Sequence, residues 1–185
     1  MGKHITQTLV PLNISVLTVS DTRSFDTDTS GQYLCDSLEE AGHTLCKRSI
    51  VIDDIYQIRA QLSAWIADDE SQVVLITGGT GFTSRDSTPE AVSPLLDKLV
   101  DGFGEMFRQL SLEQVGTSTI QSRALAGMAN ETLIFCLPGS NNACRTAWEN
   151  IIVSQIDSRH SPCNFVPQLK NIDIDACLSR EQDEN

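Results

Sequence analysis

The chain has little with which to hold a metal unaided or to grip nucleic acid. Its six cysteines form no C-x-x-C pair, and its three histidines, His4, His43 and His160, are scattered. Neither a zinc site nor a thiol redox motif is therefore supported, and the cysteines read as buried free thiols. No basic run exceeds Lys47-Arg48 and the formal net charge is -12, which argues against nonspecific binding to nucleic acid. No apolar run is long enough to span a bilayer, and the opening MGKHITQTLVPLN lacks a signal-type apolar core. The expectation is a cytoplasmic protein with neither a membrane nor a nucleic-acid partner. G-x-S-x-G is absent and no histidine is placed by pattern as a base for a serine, so nucleophilic catalysis has no support.

What is present is an alternation of β-branched runs with helical periodicity. The first strand is Ile14 to Val19, the second Leu45 to Ile52, the third Val73 to Thr77, and a later one Leu133 to Leu137. Between them, Ser30-Gly31 opens a helix, Asp53-Asp54 caps the next, and Thr88-Pro89-Glu90 starts a third. Leu95, Leu96 and Leu99 are expected to face the sheet. Gly102-Phe103-Gly104-Glu105 reads as a break before a helix from Met106 to Val115. A short helix is expected over Gln121 to Ala126, and a long one from about Asn142 to about Asp157. Trp65 and Trp148 have apolar neighbours at helical spacing and read as core. The pattern implies a three-layer α/β/α sandwich around a mostly parallel, Rossmann-like sheet. It forms a single domain over 13–169, with a flexible lead over 1–12 and a polar, acidic tail over 170–185.

Function is concentrated in QVVLITGGTGFTSRDSTPEAVSP, Gln72 to Pro94. A buried strand ends at Thr77, then Gly78, Gly79, Thr80 and Gly81 follow, then a carboxylate at Asp86 and a helix start. Glycines after a strand let the backbone approach a phosphate or a flat ring. The loop is not a dinucleotide fingerprint, because Ser84 stands where the last glycine belongs. Nor is it a P-loop, because no lysine lies between Val73 and Lys98. In an open α/β sheet the ligand crevice lies beyond the carboxyl ends of the strands. Ser20-Asp21, Asp53, the Gly78 loop with Asp86, and Pro138-Gly139-Ser140 all belong at that edge.

Hydroxyls at Ser20, Ser30, Thr80 and Ser140, with glycine-adjacent N–H groups, suit oxyanions. One exposed helix N-terminus offers an anion only about 0.3–1 kcal/mol, so a polyphosphate in so acidic a chain needs a cation. Asp53 and Asp86 can bind Mg²⁺ directly or through water. Asp53 reads equally as a plain helix cap. Asp86 can also pair with Arg85 or cap toward Thr88, and Ser140 can be only an N-cap. Arg123 can contact a phosphate or pair with Glu131.

LTVSDTRS, DTSG, VVLITGGTGFTSRDSTPEA and TLIFCLPGSNNACRTAWENI together resemble the MoaB/MogA family of molybdenum cofactor biosynthesis proteins, from about Ile14 to Leu169. SRALAG and ACRTAWENI are closest to its B branch. The resemblance implies an α/β/α fold and a homotrimer or homohexamer. It also implies adenylylation of molybdopterin with Mg-ATP, releasing pyrophosphate. On it, Asp86 matches the essential acid after the glycine loop, and Asp53 the acid after the second strand. Gly78, Gly79, Thr80 and Gly81 match the substrate loop, and Ser30-Gly31 and Pro138-Gly139-Ser140 the helix starts around the pocket. Ser24 to Thr29 is more acidic than in the adenylylating branch. The alternative is a non-catalytic carrier or scaffold that binds molybdopterin or a nucleotide in the same pocket.

Overall fold

A computed structural model describes residues 8–172. Most of the expected lead and tail lies outside the described residues. Six strands form one sheet: β1 (Asn13–Val19), β2 (Thr44–Val51), β3 (Val73–Thr77), β4 (Lys98–Leu99), β5 (Leu125–Ala129) and β6 (Thr132–Leu137). Their order is β2-β1-β3-β6-β5-β4. The first four in that order are parallel, while β5 and β4 join as an antiparallel edge.

Side-chain alternation along the central strands divides the core in two. Val73 and Leu75 of β3 join their neighbours in register, Ile14 and Leu133 for the first and Val16 and Phe135 for the second, in one apolar layer. Val74 and Ile76 face the other layer, with Leu17, Ile134 and Cys136. The first layer is covered by α1 (Thr29–Glu40), α4 (Asp101–Val115) and α5 (Asn141–Ala147), through Leu34, Leu38, Phe103, Phe107 and Ala147. The second is covered by α2 (Ile55–Ala67) and α3 (Thr88–Val92), through Ile58, Leu62, Trp65, Ala91 and Val92. Each aliphatic side chain fully buried here stabilises the fold by roughly 1.5–3 kcal/mol. Trp65 and Trp148 are both core residues.

Several local expectations are corrected. Gly102 and Gly104 do not break the chain; they lie in the first turn of α4. A Cβ on Gly104 would stand 2.7 Å from the Ala124 carbonyl, so that glycine serves close packing. The segment over Gln121 to Ala126 is not a helix. A 3₁₀ stretch ends at Gln121, and β5 begins at Leu125. β5 returns as β6 through Asn130 and Glu131, both at positive φ (45° and 57°). That is the geometry of a primed hairpin turn, but without the Asn-Gly signal that announces one. Leu99 does not face the sheet; it is 60% exposed on the short edge strand. The last long helix is interrupted by a π turn over Trp148–Ile152.

Both ends of the described chain are tied down. Leu12 is fully buried and its N–H donates to His43 Nδ1 at 3.2 Å. Lys170 Nζ donates to the Ile66 and Asp68 carbonyls at the C-terminus of α2, where a cation is favourable. No helix among the described residues is long and apolar enough to cross a membrane.

Candidate functional site

The strand order reverses between β1 and β3. The chain leaves β1 toward β2 on one side and resumes at β3 on the other. The loop after β1 leads to α1 in the first layer, and the loop after β3 leads to α3 in the second. Two loops departing to opposite faces leave a crevice at the carboxyl ends of the strands. Its floor is backbone. Gly78 has φ 102°, and a Cβ there would lie 2.2 Å from the Val19 carbonyl oxygen at the end of β1. On the other side a Cβ on Gly139 would lie 3.1 Å from the Gly78 α-carbon. The ends of β1, β3 and β6 therefore meet where no side chain fits.

Asp53 follows β2 and reaches across to the β3 loop. The Ser87 N–H and hydroxyl donate to its Oδ1 at 3.0 and 2.5 Å. Its Oδ2 faces Gly79, 2.6 Å from where a Cβ would sit. Asp53 is not the helix cap: Asp54 is, accepting from the Tyr56 and Gln57 N–H groups. Asp86 accepts from the Thr83 N–H at 2.9 Å and hydroxyl at 2.6 Å. The Thr83 hydroxyl bond is the chief reason its carboxyl lies below the usual range, and burial opposes the shift. Asp86 also stands against Gly81, 2.7 Å from a Cβ position. The two carboxylates thus flank opposite ends of one glycine loop.

The two arginines that the sequence left open are used differently. Arg85 is not paired with Asp86. It crosses the crevice to Asp21, with Nε and Nη2 donating to Oδ2 at 3.0 and 2.7 Å. Asp21 Oδ1 also accepts the Asp53 N–H at 3.1 Å. The Arg85 bonds, then that N–H, hold the Asp21 carboxyl below its ordinary range. Arg123 is not paired with Glu131. Its Nε and Nη2 donate to the Thr80 and Asp86 carbonyls, its Nη1 pairs with Glu90, and it lies 5.0 Å from the Phe82 ring centroid. It is a clasp on the glycine loop.

The remaining expected residues divide between open and engaged groups. Ser20 Oγ accepts from the Thr22 and Arg23 N–H groups. Ser30 and Gly31 are buried, and the Gly31 N–H donates to Asp28 Oδ1 at 2.9 Å. Thr77 Oγ1 donates to the Pro138 carbonyl and contacts Cys144 Sγ. Thr80 is buried, its carbonyl held by Arg123. Ser140 is the N-cap of α5, accepting from the Ala143 N–H at 3.2 Å. Gly139 and Ser140 are exposed beside Gly78.

Sequence reasoning missed Asp28, the N-cap of α1, which is 1% exposed. It accepts from Thr18 Oγ1 at 2.8 Å, the Gly31 N–H, and Arg48 Nη2 at 3.1 Å. Its signal was available: aspartate is a favoured N-cap residue, and it stands just ahead of the helix. It also missed Ser87, which orients Asp53. No sequence rule finds that contact, because 34 residues separate the two.

Among the described residues no group of three or more His, Cys, Asp or Glu is arranged to hold a metal. Asp53 and Asp86 therefore fit a cation only if it brings other ligands, as Mg²⁺ does with water and phosphate oxygens. A surface concavity of about 390 Å³ lies elsewhere, between α1 and α5 with the π turn that follows it, around Tyr33, Arg145 and Trp148.

Comparison with known proteins agrees with this architecture. Residues 15–158 match the MoCF_biosynth family model, a probable molybdopterin binding domain. The chain is 60% identical over 167 residues to the molybdenum cofactor biosynthesis protein B of Escherichia coli K12, covering 90% of this chain and 98% of that one. It is similar to a crystal structure of a molybdenum cofactor biosynthesis protein B, at TM-score 0.79 and 43% identity, over 81% of this chain and 94% of that one. It is also similar to the tungsten cofactor synthesizing protein MoaB of Pyrococcus furiosus, at TM-score 0.68 and 38% identity, over 76% and 90% of the two chains.

Proposed function

We infer the function from one premise: this chain belongs to the MoCF_biosynth family, within its MoaB/MogA group. Its place is in molybdenum cofactor biosynthesis. The step we propose is adenylylation of molybdopterin by ATP, with release of pyrophosphate. The observation that carries this is the pair of carboxylates, Asp53 and Asp86, at the two ends of one glycine loop at the switch point. Acids beside an anion site repel the ligand unless a cation joins them. Polyphosphate transfer supplies a reason for both.

The chemistry asks for position and charge. An oxygen of the pterin's terminal phosphate attacks the α-phosphorus of ATP. The bond from that phosphorus to the α–β bridging oxygen breaks, a new phosphoanhydride forms, and pyrophosphate leaves. Gly78, Gly79 and Gly81 let ligand atoms approach the backbone. Asp53, oriented by Ser87, and Asp86, oriented by Thr83, are the groups that would hold Mg²⁺. Bound there, the cation would offset phosphate charge. No covalent enzyme intermediate is required. The physiological form on this reading is a homotrimer or homohexamer.

A carrier reading has one observation in its favour. One first-turn N–H of each of α1 and α5, that of Gly31 and that of Ala143, is already capped by Asp28 and Ser140, so these helix starts offer an incoming anion less. The two readings part on turnover. With molybdopterin, ATP and Mg²⁺, the adenylyltransferase releases pyrophosphate and Asp86→Asn loses most of it while still binding the pterin. A carrier binds molybdopterin and releases none. Undiminished release by Asp86→Asn removes Asp86 from the chemistry.

A further inference from the structure

Arg85 is a cation at this crevice whose partner can be exchanged. Arg85 sits on the loop after β3, Asp21 on the loop after β1, and their ion pair crosses the crevice mouth over Asp53. The side chains of Arg85 and Asp21 are 64% and 38% exposed. Exposed pairs of this kind are held weakly, because water and salt screen them. The geometry is also imperfect, because both guanidinium N–H groups converge on a single carboxylate oxygen. A phosphate offers such a fork two oxygens in parallel, with more charge. Arg123 cannot take this part: its side chain is 20% exposed and its donors hold Thr80, Asp86 and Glu90.

Charge supplies the second argument. Asp21, Asp53, Asp54 and Asp86 surround this edge in a chain of net charge -12. Asp21 first, and then Asp53 and Asp54, favour the charged guanidinium of Arg85. A phosphate entering here meets acids first. A guanidinium already at the mouth, on a partner it can leave, is the direct counter-charge.

We propose that Arg85 is an exchangeable clamp for the phosphate of the incoming ligand, parked on Asp21 while the crevice is empty. Binding transfers the guanidinium from the Asp21 carboxylate to a phosphate group and parts the two loops. Asp21 keeps the Asp53 N–H in both states and so stays in register with the carboxylates that would hold Mg²⁺. Arg85 is a specificity residue for phosphorylated ligands, and the proposal deepens the functional reading above by assigning the charge that reading lacks.

The test is calorimetric titration of the full chain with inorganic tripolyphosphate and Mg²⁺, and separately with adenosine, for the parent, Arg85→Gln, Arg85→Lys and Asp21→Asn. The clamp requires that Arg85→Gln weaken tripolyphosphate about tenfold or more and leave adenosine unchanged, with Arg85→Lys between. It also requires that Asp21→Asn tighten tripolyphosphate. Equal binding by Arg85→Gln and parent would make the ion pair a mere strap between loops. Parallel weakening of both ligands would make Arg85 a structural support, and weaker tripolyphosphate binding in Asp21→Asn would refute the parking. Lack of any saturable tripolyphosphate binding by the parent would overturn the clamp outright. Arg85-dependent binding without adenylyl transfer to molybdopterin would leave the clamp standing and sink the adenylyltransferase reading.

Discussion

Replacing Asp28 by alanine should be among the most damaging single changes in this chain. The carboxylate is buried, and it joins three elements: Thr18 at the end of β1, Gly31 in α1, and Arg48 in β2. Alanine removes the N-cap of α1, a loss of about 1 kcal/mol. It also leaves Arg48, whose side chain is 17% exposed, without its counter-charge. Breaking a buried pair by removing one partner costs about 3–5 kcal/mol. Arg48 would keep Gln32 Oε1, the residue 28 carbonyl and the Phe25 ring, none of them a negative charge, and its buried Nε has no hydrogen-bond partner among the described residues. The contributions share one network and do not add, so the expected total is about 3–5 kcal/mol. For a chain of this size that is a fall in Tm of roughly 6–20 °C. The assay is urea unfolding at fixed protein concentration, followed by the fluorescence of the buried Trp65 and Trp148. The midpoint should fall with little change in slope. Adding Arg48→Met, which removes the stranded charge, should recover a large part of the loss. A loss below about 1 kcal/mol, or a double variant no better than Asp28→Ala, would refute the buried-pair account.

Other consequences are equally direct. Gly79→Ala places a methyl 2.3 Å from Thr88 Oγ1 and 2.6 Å from Asp53 Oδ2 at φ 64°. It should cost about 1–3 kcal/mol and weaken Mg-dependent ligand binding, measured by calorimetry; normal binding would remove Asp53 from the site. Glu131→Gly relieves the positive φ of the second turn residue and creates an Asn-Gly hairpin, so chemical denaturation should show a gain of about 0.5–1 kcal/mol. Burial pushes the His43 imidazole below its ordinary 6.5. Its neutral Nδ1 accepts the Leu12 N–H. The unfolded chain then binds the proton more readily, so His43 stabilises fully above pH 6.5, and that contribution fades as pH falls through the lowered folded value. His43→Asn should flatten this part of the stability profile, and an unaltered profile would assign it to other groups. At neutral pH a thiol reagent should label exposed Cys163 first among the cysteines of the described residues. Cys35 and Cys144, pushed up to about 11 by burial, should react only on unfolding.

The parallel half of the fold was legible because three of its four strands, β1, β3 and β6, are mostly apolar and buried on both faces, and Val73–Thr77 needed no correction. The antiparallel half was not. Leu125–Ala129 contains alanines and a glycine instead of a β-branched run, and its turn adopts positive φ without glycine. Packing against β6 decides that segment, and pattern does not see packing. At the site, the glycines and both carboxylates could be named from their order after strands. Their partners could not. Ser87 on Asp53, Asp21 on Arg85 and Arg123 on Thr80 are contacts across loops, and residue type alone left each acid and arginine with several possible companions.

The meeting of three strand ends at Gly78 has an implication for how such a protein can change. A floor made only of main chain has no side-chain chemistry to lose or gain. Its shape follows from strand register and sheet twist, which thousands of alternative cores could preserve. Drift in the apolar layers therefore leaves the floor alone, and a new preference for one ligand over another must be written in the loop tips above it. The division gives the scaffold latitude to diversify its clientele while the place where any client lies stays constant.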